Sequence, residues 1–178
     1  MPPEATTFDL VSVNPGPGEK KSYELDLYLP PLEFAGREYA FVPDVVAARL
    51  DLVFTGEGYH ATISFICRLE GACWRCLEPA DLDLEVRAED YFELELPPLA
   101  ELGEDDEPSL YYTRDGILEL SAWAHDAVAG MLPPKILCFE GCKGLCDLCG
   151  ANLNEAQCGC ERPSDSRWDK LKEWKPEA

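Results

Sequence analysis

Eight of the nine cysteines in this 178-residue chain fall into four short pairs: Cys73-x-x-Cys76, Cys138-x-x-x-Cys142, Cys146-x-x-Cys149 and Cys158-x-Cys160. A divalent metal held by sulfur takes four thiolates at tetrahedral corners. A close pair of cysteines supplies two of those corners from one tight turn. Four pairs therefore provide the ligands of two tetrahedral sites, and only Cys67 stands outside the scheme. The expected cofactor is zinc, two ions per chain, with Cys73, Cys76, Cys138, Cys142, Cys146, Cys149, Cys158 and Cys160 as ligands.

Disulfides are the competing use of so many thiols, and compartment decides between the two. The chain begins Met1-Pro2-Pro3-Glu4, without a basic start or the apolar run of a signal peptide. No stretch is long and apolar enough to span a bilayer. These features predict a cytoplasmic protein with no membrane contact, where thiols stay reduced and bind metal.

If each pair stays intact, the four pairs can be joined into two sites in three ways. The favoured one sets Cys146 and Cys149 with Cys158 and Cys160, because the short connection costs little closure entropy. Gly150 follows Cys149, as suits a knuckle whose backbone N–H groups turn toward sulfur. The second site then joins Cys73 and Cys76 to Cys138 and Cys142 across a long span. A rival reading takes Cys142-x-x-x-Cys146-x-x-Cys149 as the three-thiolate spacing of radical-SAM iron–sulfur clusters. Those enzymes need a large α/β barrel, and this chain reads otherwise.

Its dominant pattern is alternation with period two. Tyr23, Leu25, Leu27 and Leu29 alternate with polar residues up to Pro30-Pro31, and Leu50, Leu52 and Phe54 do the same before the turn Thr55-Gly56-Glu57-Gly58. Tyr59, Ala61, Ile63, Phe65, Cys67 and Leu69 then share one strand face. Leu82, Leu84, Val86 and Ala88 share another, in a phase that continues through Phe92, Leu94 and Leu96. One main helix is predicted from an N-cap at Ser121, with Trp123, Ala127 and Met131 in one stripe and Ala124, Val128 and Leu132 beside it, ending at Pro133-Pro134. A short last helix is predicted from Ser164 or Asp165, carrying Trp168, Leu171 and Trp174. The expected fold class is α+β: a curved antiparallel sheet or open barrel with one main helix and a C-terminal zinc-knuckle module. Residues 1–137 form the expected acidic body and 138–178 the cysteine-rich module.

Charge separates the two parts. The chain carries a formal net charge of -20. Residues 1–137 hold 9 Lys+Arg against 27 Asp+Glu, whereas 138–178 hold 6 against 8. The body should repel nucleic acid and attract basic proteins, so RNA contact is expected only through the module. Its candidate contacts are Lys143, Arg162, Arg167, Lys170, Lys172 and Lys175 near Trp168 and Trp174. Pro97 to Pro108 reads as an exposed acidic loop.

Catalysis finds little support. The two histidines are isolated: His60 falls opposite an apolar strand face, and His125 lies in the helix near Asp126. Four-thiolate sites leave no position for an activated water. No Gly-rich phosphate loop and no Gly-x-Ser-x-Gly elbow appears. Cys67, on an apolar face, reads as a small core residue.

The knuckle Cys73-Trp74-Arg75-Cys76-Leu77-Glu78-Pro79 resembles the C-x-R-C-L-x-P signature of the YceD-like family. So do Cys142-Lys143-Gly144-Leu145-Cys146-Asp147-Leu148-Cys149-Gly150-Ala151-Asn152-Leu153-Asn154, then Cys158-Gly159-Cys160, and the trailing Asp165-Ser166-Arg167-Trp168. The chain departs slightly at Phe139-Glu140-Gly141. The resemblance implies a role in large-ribosomal-subunit RNA accumulation without implying catalysis. Some relatives keep the first knuckle and lack the second cluster, which fits two sites that each stand alone. The expectation is a non-enzymatic zinc-binding factor for large-subunit assembly. Its partners would be a large-subunit ribosomal precursor, a basic ribosomal protein and ribosomal RNA. The alternatives are a metal-dependent RNA-processing or RNA-modifying enzyme, or a zinc-thiolate redox switch.

Overall fold

A computed structural model of the chain describes residues 4–13, 15–94 and 112–161. The alternating segments all form strands. β1 is Thr7–Asp9, β2 Lys20–Tyr28, β3 Leu32–Phe34, β4 Arg37–Phe41, β5 Val45–Phe54, β6 Gly58–Ala72, β7 Pro79–Glu93, β8 Thr113–Arg114 and β9 Ile117–Glu119. One helix follows, α1, Leu120–Met131. All strand pairings among the described residues are antiparallel.

β6 is the spine. It pairs along its whole length with β7, from Gly58 opposite Glu93 to Ala72 opposite Pro79. Its other edge is shared, first by β5 and then by β4. Between Phe41 opposite Leu69 and Ala48 opposite Phe65, three extra residues are accommodated in a bulge around the cis Val42–Pro43 bond. β2 adds to β5 and β3 adds to β4, giving an order β2-β5-β6-β4-β3 with β7 across β6. The sheet is not closed, which agrees with the expected antiparallel sheet and does not confirm the open barrel. A second, small sheet of order β1-β9-β8 leads directly into α1.

The faces follow the sequence pattern. Tyr59, Ala61, Ile63, Phe65, Cys67 and Leu69 of β6 are all buried, with Leu50 and Leu52 of β5 and Val86 and Phe92 of β7. α1 sets Leu120, Trp123, Ala124 and Val128 into this core, and Trp123 meets Phe92 edge-on at 5.1 Å between ring centres. The opposite face stays wet, with Glu24, Arg49, Arg68, Asp83 and Arg87 in surface ion pairs or hydrogen bonds. Two hairpins are closed by turns with two successive left-handed residues, Ala35-Gly36 and Asp115-Gly116, the geometry that matches strand twist.

Two expectations about α1 need correction. Ser121 is not its N-cap, because the helix begins at Leu120 after Glu119. Ser121 is instead buried in the first turn: its Oγ accepts the Thr6 N–H at 2.8 Å and donates to the Tyr28 carbonyl at 2.6 Å. A tertiary partner thus claims the hydroxyl that the sequence offers for capping. Met131 lies at the helix end and is exposed, outside the stripe assigned to it. The acidic loop Pro97 to Pro108, the predicted last helix and Leu96 lie outside the described residues.

Ser121→Ala tests this joint. It strands partly buried groups on two segments and should cost about 1–3 kcal/mol. In hydrogen exchange, the amides of Thr6 and Tyr28 should lose protection before those of β6. A loss confined to the first turn of α1 would restore the capping role.

Candidate metal centres

The β6–β7 connection is the first knuckle. The Cys73 N–H donates to the Glu78 carbonyl at 2.8 Å, and the Leu77 N–H donates back to the Cys73 carbonyl at 3.1 Å. The second cysteine loop repeats this frame. There the Cys146 N–H donates to Ala151 and the Gly150 N–H to the Cys146 carbonyl, both at 2.8 Å. Leu77 (φ 68°) and Gly150 (φ 73°) occupy equivalent left-handed positions. The sequence displays the glycine of the second knuckle and conceals the strained leucine of the first, which costs roughly 1–2 kcal/mol.

The hairpin of β3 and β4 buttresses the first knuckle. A Cβ at Gly71 would lie 2.3 Å from the Tyr39 ring, so only glycine lets that ring cross β6 there. The Tyr39 hydroxyl then donates to the Ala72 carbonyl at 3.0 Å, and Arg37 Nη1 to the Cys73 carbonyl at 3.2 Å. From the other side, the chain leaving α1 arrives through Ile136, whose carbonyl accepts the Trp74 N–H at 2.8 Å.

These elements bring the cysteines into two groups of four: Cys73, Cys76, Cys138 and Cys142, and Cys146, Cys149, Cys158 and Cys160. Within each group every sulfur lies within 4.8 Å of the others. Cys73 and Cys142 sulfurs are 3.8 Å apart, and those of Cys76 and Cys138 are 3.5 Å apart. Four sulfurs each about 2.3 Å from one ion would stand about 3.8 Å apart, so the donor set fits a metal. Each group could hold one ion. The grouping is the one favoured on loop length, and it splits the radical-SAM-like triplet, since Cys142 joins the first group and Cys146 and Cys149 the second. Cys67 stays in the core, where burial pushes its thiol up to about 11.

The two groups differ in surroundings. Cys73, Cys76 and Cys142 are buried, whereas Cys149 and Cys160 are exposed. Burial raises the Cys73 thiol, but backbone N–H groups, first that of Cys76, outweigh it and bring it down to about 6. Backbone N–H groups of Cys149 and Leu148 hold Cys146 down at about 7. Burial opposes ionisation of Cys142, and the Asn154 side-chain amide, 3.4 Å from its sulfur, together with the Gly144 N–H and the Cys76 and Cys138 thiols outweighs it, holding the thiol below its usual value. Each group thus contains a thiol prepared to ionise and so to bind metal.

Sequence reasoning assigned no part to Asn154, Trp74 or Arg75, although all three sit inside the cysteine motifs. Asn154 also accepts the Lys143 N–H at 2.7 Å, bracing the loop before Cys146. Arg75 joins the knuckles: its Nη1 donates to the Cys142 carbonyl at 2.6 Å and its own carbonyl accepts the Leu145 N–H at 3.2 Å. Gly144 (φ 79°) passes so close that a Cβ there would lie 3.0 Å from the Arg75 carbonyl. Trp74 lies under two cations, Arg37 at 5.2 Å and Lys135 at 5.9 Å from the ring centre. His60 is exposed beside Tyr91, and His125 is 3.5 Å from Asp126. Lys143 is exposed. Arg162, Arg167, Trp168, Lys170, Lys172, Trp174 and Lys175 lie outside the described residues.

The family model described as large ribosomal RNA subunit accumulation protein YceD matches residues 61–175, more than half of the chain. That match takes in both knuckles and all eight paired cysteines. Neither a curated protein nor a solved structure matches.

Native mass spectrometry of the purified protein should show two ions per chain, falling to one in Cys76→Ser and to one in Cys149→Ser. Gly150→Val, which forces a branched side chain into a left-handed turn, should weaken retention at the second group about tenfold, the equivalent of the 1–2 kcal/mol cost of that conformation. Two ions retained in both cysteine variants would show that the groups are not independent four-sulfur sites.

Proposed function

Because the chain belongs to the family of large ribosomal RNA subunit accumulation proteins, we propose that it is a non-enzymatic zinc-binding factor acting during assembly of the large ribosomal subunit. The family match carries this reading. Zinc is the ion whose chemistry suits eight thiolates in two tetrahedral groups. Such sites are closed, with no coordination position left for water, and serve to hold backbone segments in place. The protein then acts by binding, with the metals shaping the surface that binds.

Residues 1–137 serve as an acidic body and 138–178 as a metal module. The body carries three acidic residues for each basic one, and its wet sheet face displays Glu24, Glu70, Asp81, Asp83 and Glu85. Such a surface suits a basic ribosomal protein, which it would shield before docking on the precursor. The near-neutral module would face ribosomal RNA. The setting is the compartment where large subunits are built.

A second reading, a redox switch, is favoured by one observation: Cys149 and Cys160 are exposed, so oxidants reach the second group more readily than the first. Under that reading mild peroxide releases one ion and leaves the other.

Depletion tests the assembly role. Cells lacking the protein should show a lower ratio of large- to small-subunit ribosomal RNA, restored by the wild-type chain. An unchanged ratio would falsify the assembly reading. Cleavage or modification of ribosomal RNA by the purified protein, abolished by a single side-chain change, would replace it with an enzymatic one.

A further inference from the structure

The described basic residues of this acidic protein differ in whether a carboxylate faces them. Lys20, Lys21, Arg49, Arg68 and Arg87, on the strands, each face a carboxylate within 4.0 Å. Arg37, Arg75, Arg114, Lys135 and Lys143 form no such ion pair among the described residues. Arg114 stands apart on β8, and the other four come together at the first cysteine group. Arg37 and Lys135 stand over Trp74, Arg75 is fastened to the Cys142 carbonyl, and Lys143 follows Cys142 directly. Three separate segments supply them: the β3–β4 hairpin, the first knuckle and the chain after α1. Arg75, Lys135 and Lys143 are exposed.

We infer that these four cations, gathered with Trp74 at the first cysteine group, are the surface on which the protein holds the phosphate backbone of RNA. The inference rests on the assembly reading and gives it a contact site, on the first knuckle and the start of the module, distinct from the lysines and arginines beyond residue 161. Three physical points carry it. A cation with no carboxylate partner keeps its full attraction for phosphate, while one already paired on the sheet face does not. Trp74 and Arg37 present flat surfaces on which an unpaired base can stack, so single-stranded RNA suits the site better than duplex. The hydrogen bonds of Arg37 to Cys73 and of Arg75 to Cys142 fix two of the four cations to the metal-bearing loops, so little side-chain freedom is lost on binding. Elsewhere the acidic body repels RNA, which confines the strand to this patch.

The cations also lie near a group that, with zinc bound, carries two negative charges, and neutralising it is the competing role. The test separates the two. Binding of a fluorescein-labelled 20-nucleotide single-stranded RNA of mixed adenine and uridine sequence is measured against salt, with full-length metal-loaded protein. Four phosphate contacts on a single strand give a log–log salt slope of about -3. Arg37→Glu combined with Lys135→Glu should weaken binding at least about tenfold and make the slope shallower by about 1.4, with two ions retained. Lys135→Glu alone should give a smaller loss of the same kind. Lys135 has no hydrogen bond on which a knuckle depends, so this variant keeps the test open if the double one fails to fold. Lys20→Glu with Lys21→Glu, at the opposite end of β6 from Cys73, should change binding by less than about twofold. Unchanged affinity and slope in Lys135→Glu would overturn the inference, as would an equal loss in the Lys20 and Lys21 control. So would loss of metal in Lys135→Glu with RNA binding intact, which would assign the cations to charge neutralisation. A wild-type protein that ignores this RNA yet co-sediments with large-subunit precursors would defeat the RNA surface and leave the assembly role standing.

Discussion

Four sulfur atoms from Cys73, Cys76, Cys138 and Cys142 meet at one point, and the arrangement of everything near them follows from that meeting. Without a cation the cluster is unfavourable, because thiolates within 4.8 Å of one another repel. A dication reverses the sign of that interaction. Structural zinc sites contribute on the order of 10–16 kcal/mol of apparent binding energy, similar to the entire net stability of a domain. An ion here would tie the β6–β7 connection to the chain leaving α1, two segments some sixty residues apart in the sequence. The hairpin of β3 and β4, the Tyr39 ring over Gly71 and the Trp74 N–H bond to Ile136 all lean on the same point.

The second group depends on the first more than its own local loop suggests. Arg75 reaches from the first knuckle to the Cys142 carbonyl and to Leu145, and Gly144 is held against it. Asn154, beyond the second knuckle, bonds back to the Cys142 sulfur. The two groups are therefore separate as ligand sets and coupled as structure. Arg75 and Lys143 sit along this seam, with Arg37 and Lys135 over the neighbouring Trp74, while the sheet face carries the paired charges, so the molecule offers two surfaces of opposite character.

Much of this was legible in the sequence because the physics that shapes it is periodic or local. Alternation identified β2, β5, β6 and β7, since a strand with one buried face must alternate, and Cys67 followed from its place in that pattern. The cysteine grouping followed from loop length. Other features were hidden because tertiary partners decide them. Ser121 has the chemistry of a cap, but Thr6 and Tyr28 claim its hydroxyl. The short strands β1, β8 and β9 carry too few residues to show a period. Leu77 takes a left-handed turn that only the sulfur geometry justifies. The gathering of Arg37 and Lys135 on Trp74 joins residues far apart in the sequence, and no local pattern marks it.

The central claim is that the first cysteine group anchors the fold while the second organises only its own loop. Hydrogen exchange on Cys73→Ser and Cys160→Ser, compared segment by segment with wild type, tests it most directly. The account predicts that Cys73→Ser loses protection across the whole domain, the second knuckle included, and most at 71–80 and 134–146. Cys160→Ser should lose it only from residue 143 onward. Equal, chain-wide loss in both variants, or loss confined to the second knuckle in both, would contradict the account.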